Sequence, residues 1–480
     1  MPPQGSRRRR QEDGDGDGGA DGVDRLSDLP EELRLQIIGR LDSAHEAART
    51  SVLSRRWRGL WTGLLELTFR GVGIGTGSVE AALAQLTDHK LDLLDVRIEE
   101  PVTPGRVSSL LRAAARLGPK VLSIGDDYDP EKLSRPVMSG TFYLPCLERT
   151  TSLKISILEM SLAPPPAGEF AALTSLSIKD CSSVDIGALL PLCPCLRFLV
   201  LHKCLEYGPA IVHSPLLEEL VLRGNVLNCV DIEAPMLKKV DVELYVMDEL
   251  SVSFFAPMVK QFEWCIVYES VDVVFCQLWR LNSVCELRVE GRPPCVQIQL
   301  DTHPSTFQGW DFAEAIAQLR FPNFSVLELD ILTDGHVFGP MVLHLLRIWP
   351  VIQTLRISME GNDRNMVNIA CPKDCPCKQP NGWRSESVAL TNLEAVEIVG
   401  LEGKDHEVDF LKLVLQCAPV LKRMTVRLVD GASRRKILRI YKKYPNVECA
   451  VYRRLERRRA KSSTSSPGLK AKRSHSCRSL

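Results

Sequence analysis

The chain has 480 residues, 45% of them apolar, with 60 Lys and Arg balanced by 60 Asp and Glu; this is ordinary globular composition at a length for two to four domains. Zero formal net charge supplies no global field for nucleic acid or membrane, and no run of eighteen or more apolar residues offers a membrane-spanning helix. Sixteen cysteines are scattered too thinly for a disulfide scaffold, and the basic N-terminal residues lack the apolar stretch of a secretory signal, so reduced thiols and a nuclear and/or cytoplasmic location are expected.

Residues 1–23 are rich in Gly, Asp and Arg and cannot bury enough to order themselves. Helices are expected from Asp24 to Leu64. Pro30 suits a first helical turn, with Ser27 or Asp28 as cap and Glu31 and Glu32 at the positive end of the dipole; Leu33, Ile37, Ile38 and Leu41 then share one stripe. Ser54 can cap a later helix carrying Trp57, Leu60, Trp61 and Leu64 at i, i+3, i+4 and i+7, with Arg55, Arg56 and Arg58 facing elsewhere. About forty residues rarely support a core alone, so their apolar surface calls for a partner.

These residues, with the LPEEL start, the II-x-x-L turn and the AARTSVLSRRWRGLW run, resemble a plant-type F-box. The resemblance implies docking on the Skp-type adaptor of a cullin-based ubiquitin ligase. On the matching positions it implies that Leu29, Pro30, Leu33, Ile37, Ile38, Leu41, Val52, Leu53, Trp57 and Leu60 contact the adaptor or brace the helices that do. Asp42 departs from the pattern, standing where the family usually has Pro.

After the F-box, Gly71, Gly73, Gly75 and Gly77 alternate in a way that never yields G-x-G-x-x-G, so residues 65–82 are expected to be a flexible linker. From 83 to 382 the chain reads as an irregular leucine-rich-repeat solenoid. Three copies of L-x-x-L-x-L-x-x-N/C are complete: Leu173, Leu176, Ile178, Cys181; Leu196, Leu199, Leu201, Cys204; and Leu217, Leu220, Leu222, Asn225. Weaker copies begin at Leu237, Val259, Val284, Phe324, Ile352, Leu393 and Leu421, and an earlier one at Leu93 with Val96 and Ile98. Such units stack to share a core in a parallel sheet, with the Asn or Cys turned inward onto loop backbone. Residues between the apolar ones point outward and are mixed in sign, among them Arg197, Glu218, Lys238, Asp241, Glu263, Glu286, Glu394, Glu397, Lys422 and Arg423, which argues against a single polyanionic ligand.

Cys371, Cys375 and Cys377, in CPKDCPCKQP, are the best metal candidate. Tetrahedral zinc needs a fourth ligand and the spacing is not the usual C-x-x-C pair, so a proline-stiffened surface insertion is the simpler expectation, and no metal or cofactor is assigned. Residues 383–452 resemble the FBD that follows the repeats in many plant F-box proteins; Val408, Leu411, Leu415 and Ala418 fit the buried side of a helix between two strands, a unit suited to capping the solenoid. The Asp405, His406, Glu407 cluster is expected to be a solvated first helical turn. Residues 453–480 hold ten Lys or Arg against Glu456 alone and should be disordered.

The fold class expected is therefore α/β: a small all-α F-box module, then a leucine-rich-repeat solenoid with a parallel β-sheet, between disordered termini. No catalytic motif appears. The function this implies is a non-catalytic substrate-recognition subunit of a Skp–cullin–F-box ubiquitin ligase, binding the adaptor, through it a cullin, and an unidentified target protein. The competing reading is a nuclear nucleic-acid- or chromatin-binding protein using RRRR at 7–10 and the C-terminal tail.

Overall fold

The computed structural model describes residues 26, 28–70, 76–86, 90–99, 102–126, 139–247, 250–268, 273–275, 279–288, 295–302, 310–311, 324–359, 375, 383–385, 388–429, 432 and 434–453. Both basic tails fall outside them apart from Arg453. Two compact units are formed, the first mainly Met1–Asp272 and the second mainly Phe321–Leu480.

In the first unit the helices Glu31–Ile38 and Ala44–Arg49 are followed by nine parallel strands, each paired with the next: Glu66–Phe69, Leu93–Ile98, Val121–Asp126, Ser152–Ser156, Ser175–Lys179, Phe198–His202, Glu219–Glu233, Lys239–Val246 and Gln261–Tyr268. The register places Leu153, Leu176, Leu199, Leu220, Val240 and Phe262 in one buried row. This is the repeat core that the spacing predicts, and all twelve residues of the three complete copies are buried.

Asn225 shows why its position recurs. Its Oδ1 accepts the backbone N–H groups of Cys204 and Leu205 at 3.0 and 3.1 Å, and its Nδ2 donates to Leu201 O at 3.1 Å. Loop groups of the preceding repeat that would otherwise be buried without partners are thereby satisfied. Cys181 and Cys204 hold the same place, each with its thiol bonded to backbone. Burial pushes Cys181 up to about 12 and Cys204 higher still, so both are inert thiols.

Several expectations need correction. Strand Glu66–Phe69 and helix Thr76–Leu83 occupy much of the 65–82 stretch read as linker. The early repeat is entered by Leu91, Leu94 and Val96, all buried, rather than by Leu93, which is half-buried on the outer side. Strands Val121–Asp126 and Ser152–Ser156 escape the pattern because Pro119 and Thr150 hold the leading apolar slot; the Thr150 hydroxyl donates to Pro119 O at 2.8 Å. The strand containing Val284, Trp279–Arg288, runs antiparallel to Gln261–Tyr268, pairing Trp264 with Glu286. Glu286 consequently faces inward and is buried, not on the outer face.

In the second unit six parallel strands pair in sequence: Cys295–Thr302, Val326–Ile331, Thr354–Ser358, Ala395–Leu401, Arg423–Leu428 and Glu448–Arg453. Helix Asp405–Cys417 buries Val408, Leu411 and Leu415, with Ala418 at its end, between two of these strands as expected. Its first turn is not simply solvated. Asp405 is exposed, but Glu407 is buried and accepts from the backbone N–H groups of Gly403 and Lys404 at 2.6 and 2.9 Å, closing a capping box. His406 packs edge-on to Phe338, and burial lowers its pKa to about 4. Cys375 is 5% exposed, which corrects the expectation of a surface insertion at this residue, and its Sγ stands 3.2 Å from His336 Nδ1. Cys371 and Cys377 lie outside the described residues.

Candidate functional site

The N-terminal helical module separates its apolar residues into two sets. Helix Glu31–Ile38 turns Arg34 and Ile38 inward, whereas Leu33, Ile37 and, beyond its end, Leu41 follow at i, i+4 and i+8 and stay exposed. Ile38 retains only 1% of its surface and Ile37 keeps 40%. The stripe expected from the sequence is thus split, with Ile38 part of the interior and the other three outside it.

Pro30 caps this helix with extended backbone, one residue outside it, and its carbonyl accepts from Leu33 and Arg34, both at 3.1 Å. Asp28 is not the cap; its Oδ1 accepts instead from the Arg56 guanidinium at 2.9 Å. Ser27 lies outside the described residues. The Arg34 guanidinium donates from Nε to Leu29 O at 3.1 Å and from Nη1 to Arg56 O. One buried cation therefore ties the segment entering the module to the turn 22 residues downstream. Sequence reading passed over Arg34 because charged side chains are normally placed on the outer face; its i, i+4 relation to Ile38 was the available signal.

Helix Ala44–Arg49 is capped by Ser43, whose hydroxyl accepts from His45 N at 3.1 Å. Just beyond it Val52 and Leu53 stand out at 87% and 63% exposure. The amphipathic helix expected after Ser54 is absent. Gly59 adopts a left-handed conformation at φ 71°, and the segment folds as turns leading into a 3-10 helix, Leu60–Gly63. Trp57 and Trp61 are buried all the same, Trp57 at 3%, and Leu60 is half-buried. Arg55, Arg56 and Arg58 are exposed as expected.

Of the ten expected docking residues, Pro30, Leu33, Ile37, Leu41, Val52 and Leu53 are exposed, Leu29 and Leu60 are half-buried, and Ile38 and Trp57 are sealed in the module. Leu26 and Leu65, which the sequence reading did not select, are also exposed. These apolar side chains stay in water around a module whose interior is already filled.

The repeat strands present a different face. Glu218 accepts from Arg197 Nε at 2.7 Å and from Lys238 Nζ at 2.8 Å, and Arg223 holds Asp241 through two hydrogen bonds of 2.8 and 2.7 Å. In the second unit Lys422 pairs with Glu394 at 2.7 Å and Arg427 with Glu397 at 3.1 Å. Charges on neighbouring strands thus neutralise one another, and the pairing holds the Glu218 carboxyl below its usual range. Among the described residues no helix is long and apolar enough to cross a membrane.

Family models match at the two places this geometry marks out: an F-box domain at residues 26–67 and an FBD at residues 389–426. The chain carries an F-box domain and an FBD, and over most of its length it is similar to plant F-box/FBD/leucine-rich-repeat proteins. It is 27% identical to an Arabidopsis thaliana protein named for F-box, FBD and LRR-repeat, across 87% of this chain and 92% of that one. A second Arabidopsis relative, named as FBD-associated F-box, is 24% identical across 84% and 92%. The MEIOTIC F-BOX protein MOF of Oryza sativa subsp. japonica is 29% identical, with 43% of this chain and 42% of that protein aligned. The F-box match covers the exposed Leu26, Leu33, Ile37, Leu41, Val52, Leu53 and Leu65, and the FBD match covers strand Ala395–Leu401, helix Asp405–Cys417 and most of strand Arg423–Leu428.

Proposed function

We propose that this F-box protein is the substrate-recognition subunit of a Skp–cullin–F-box ubiquitin ligase, with no reaction of its own. The observation that carries the reading is the exposure of Leu33, Ile37, Leu41, Val52 and Leu53 around an interior already occupied by Ile38, Trp57 and Trp61. In this mechanism the exposed set docks the adaptor, and through it a cullin, while the buried set and Arg34 hold its shape. The repeats bind a target protein. Ubiquitin transfer is accelerated because both ends are held on one chain, which raises the local concentration of target at the ligase.

The neutralised repeat face suits a protein target recognised by shape and matched polar contacts rather than by bulk charge. It gives no support to the polyanion reading, whose basic tails are placed by sequence alone.

Adaptor pull-down with purified full-length protein tests the docking role. The Ile37→Glu, Leu53→Glu double variant alters only exposed positions, so its thermal midpoint should match wild type. Each lost anchor should cost about 2 kcal/mol, or roughly thirtyfold in affinity. Equal adaptor recovery by wild type and the double variant refutes the reading. A Trp57 variant is a poorer test, because truncating a sealed ring damages the module itself.

A further inference from the structure

We propose that Cys265 and Cys285 are a redox modification site, two thiols placed to close into a reversible disulfide that staples the antiparallel strand Trp279–Arg288 to the last parallel strand of the first unit. The inference is independent of the ligase reading.

The placement follows from alternation along the two strands. On Gln261–Tyr268 the side chains of Phe262, Trp264 and Ile266 turn inward, which leaves Cys265 on the outer face, half-buried. Antiparallel pairing sets Trp264 opposite Glu286, Cys265 opposite Cys285 and Ile266 opposite Val284. Val284 and Glu286 are buried, so Cys285 shares the outer face with Cys265 and is half-buried as well. A slip of one residue would turn Cys285 inward and part the two sulfurs. Both are free thiols of the first unit, hydrogen-bonded to each other through their side chains. Directly opposed residues of an antiparallel pair have Cα atoms about 4.5 or about 5.5 Å apart, and both separations fall inside the disulfide range of about 4.4 to 6.8 Å. The bond therefore needs side-chain rotation rather than movement of either backbone.

The core thiols behave differently. Cys181 and Cys204 are sealed among the repeats and bonded to backbone, whereas Cys265 and Cys285 lie within reach of a small oxidant and each has the other sulfur as its neighbour. The hydrogen bond with Cys285, burial and the nearby carboxylates of Glu243 and Glu263 raise the Cys265 thiol, so exchange is slow and the pair persists as thiols when oxidant is scarce. The oxidant is a small-molecule disulfide such as glutathione disulfide. One protein thiolate attacks it, forming a mixed disulfide and expelling one small thiolate; the second protein thiolate then attacks the protein sulfur of that mixed disulfide, forming the Cys265–Cys285 bond and expelling the other. The two protons lost by the cysteines end on the two released thiols, so two protein thiols are oxidised as one small disulfide is reduced. An excess of the small thiol runs the same steps backwards. The bond closes a loop over the 19 residues between the cysteines, which removes conformations from the unfolded chain.

Reduced full-length protein, equilibrated with glutathione disulfide, then unfolded and alkylated, should give the Cys265 and Cys285 peptides joined to each other in peptide mass spectrometry, with Cys181 and Cys204 alkylated. Dithiothreitol should part the joined peptides. The thermal midpoint of the first unit should rise by about 5 °C on oxidation, and Cys265→Ser and Cys285→Ser treated in the same way should show no such rise. The mass measurement uses wild type only and decides the matter even if a variant fails to fold. Folded wild type whose two cysteines stay unlinked, end as separate mixed disulfides with glutathione or join other cysteines overturns the proposal, as does a link that leaves the thermal midpoint unchanged.

Discussion

The F-box module and the repeat stack use the same residue types to opposite ends. In the repeats, Leu176, Leu199, Leu201, Leu220 and Leu222 are all closed off by neighbouring strands, whereas Leu33, Leu41 and Leu53 of the F-box remain in contact with water. Periodicity finds apolar residues in both regions without distinguishing them. The difference lies in what stacks on each element: a repeat has a copy of itself on either side, while the short helices of the F-box run out of chain to cover them.

The sharpest way to break this comparison is to delete the same atoms in both places. Leu222→Ala in the repeat core should destabilise the first unit by about 3 kcal/mol, through lost transfer energy and a cavity. Leu53→Ala should change stability by no more than about 0.5 kcal/mol. Thermal or urea denaturation of the two variants gives the answer, and similar losses would show that the F-box surface is also core.

A smaller effect sharpens the account of the repeats. Asn225→Ala leaves the N–H groups of Cys204 and Leu205 and the carbonyl of Leu201 without their side-chain partner, and should cost about 2 kcal/mol. Asn225→Asp should recover part of that loss, because it keeps the acceptor and gives up only the donor. Loss of amide-exchange protection should centre on residues 201–205.

The smallest effect concerns the FBD. The folded pKa of His406 lies at about 4, below the 6.5 of an unperturbed imidazole, so the unfolded chain binds the proton first as pH falls. Stability present above about pH 6.5 is therefore lost progressively towards pH 4. Buried Glu407 is shifted upward, so its own contribution runs the other way, but it is common to both proteins in a comparison of wild type with His406→Gln. Wild type should lose about 1 kcal/mol more than the variant between pH 7 and 4.5, after allowance for the solvent that still reaches the ring. Parallel melting curves across that range would show that the burial of His406 has no energetic consequence.

How far the sequence revealed the structure depended on how completely each segment filled its pattern. From Leu173 to Asn225 every slot holds a Leu, Ile, Cys or Asn, and strands and core follow directly. Where Pro119 or Thr150 replaces the leading Leu, two strands are hidden. Adjacent apolar residues at Leu91, Leu93 and Leu94 allow two registers, of which the sequence reading took the wrong one. At Val284 the alternation is correct but cannot reveal direction, since a two-residue period reads the same both ways. The apolar residues of the F-box were legible as a group, but their division into inside and outside was not: Ile37 and Ile38 are adjacent in sequence yet only Ile38 is buried, and Gly59 ends the expected second stripe. The His336–Cys375 contact was invisible because 39 residues of intervening chain separate its partners.

The reach of Asn225 into the preceding repeat gives the stack a polarity. The amides of Cys204 and Leu205 lack this partner until the following coil delivers Asn225, so that one coil is completed by the coil after it. During synthesis the turn at Cys204 would then stay unfinished until Asn225 has emerged from the ribosome. Premature termination between Cys204 and Asn225 should leave the coil that ends at Cys204 frayed rather than merely shorten the array.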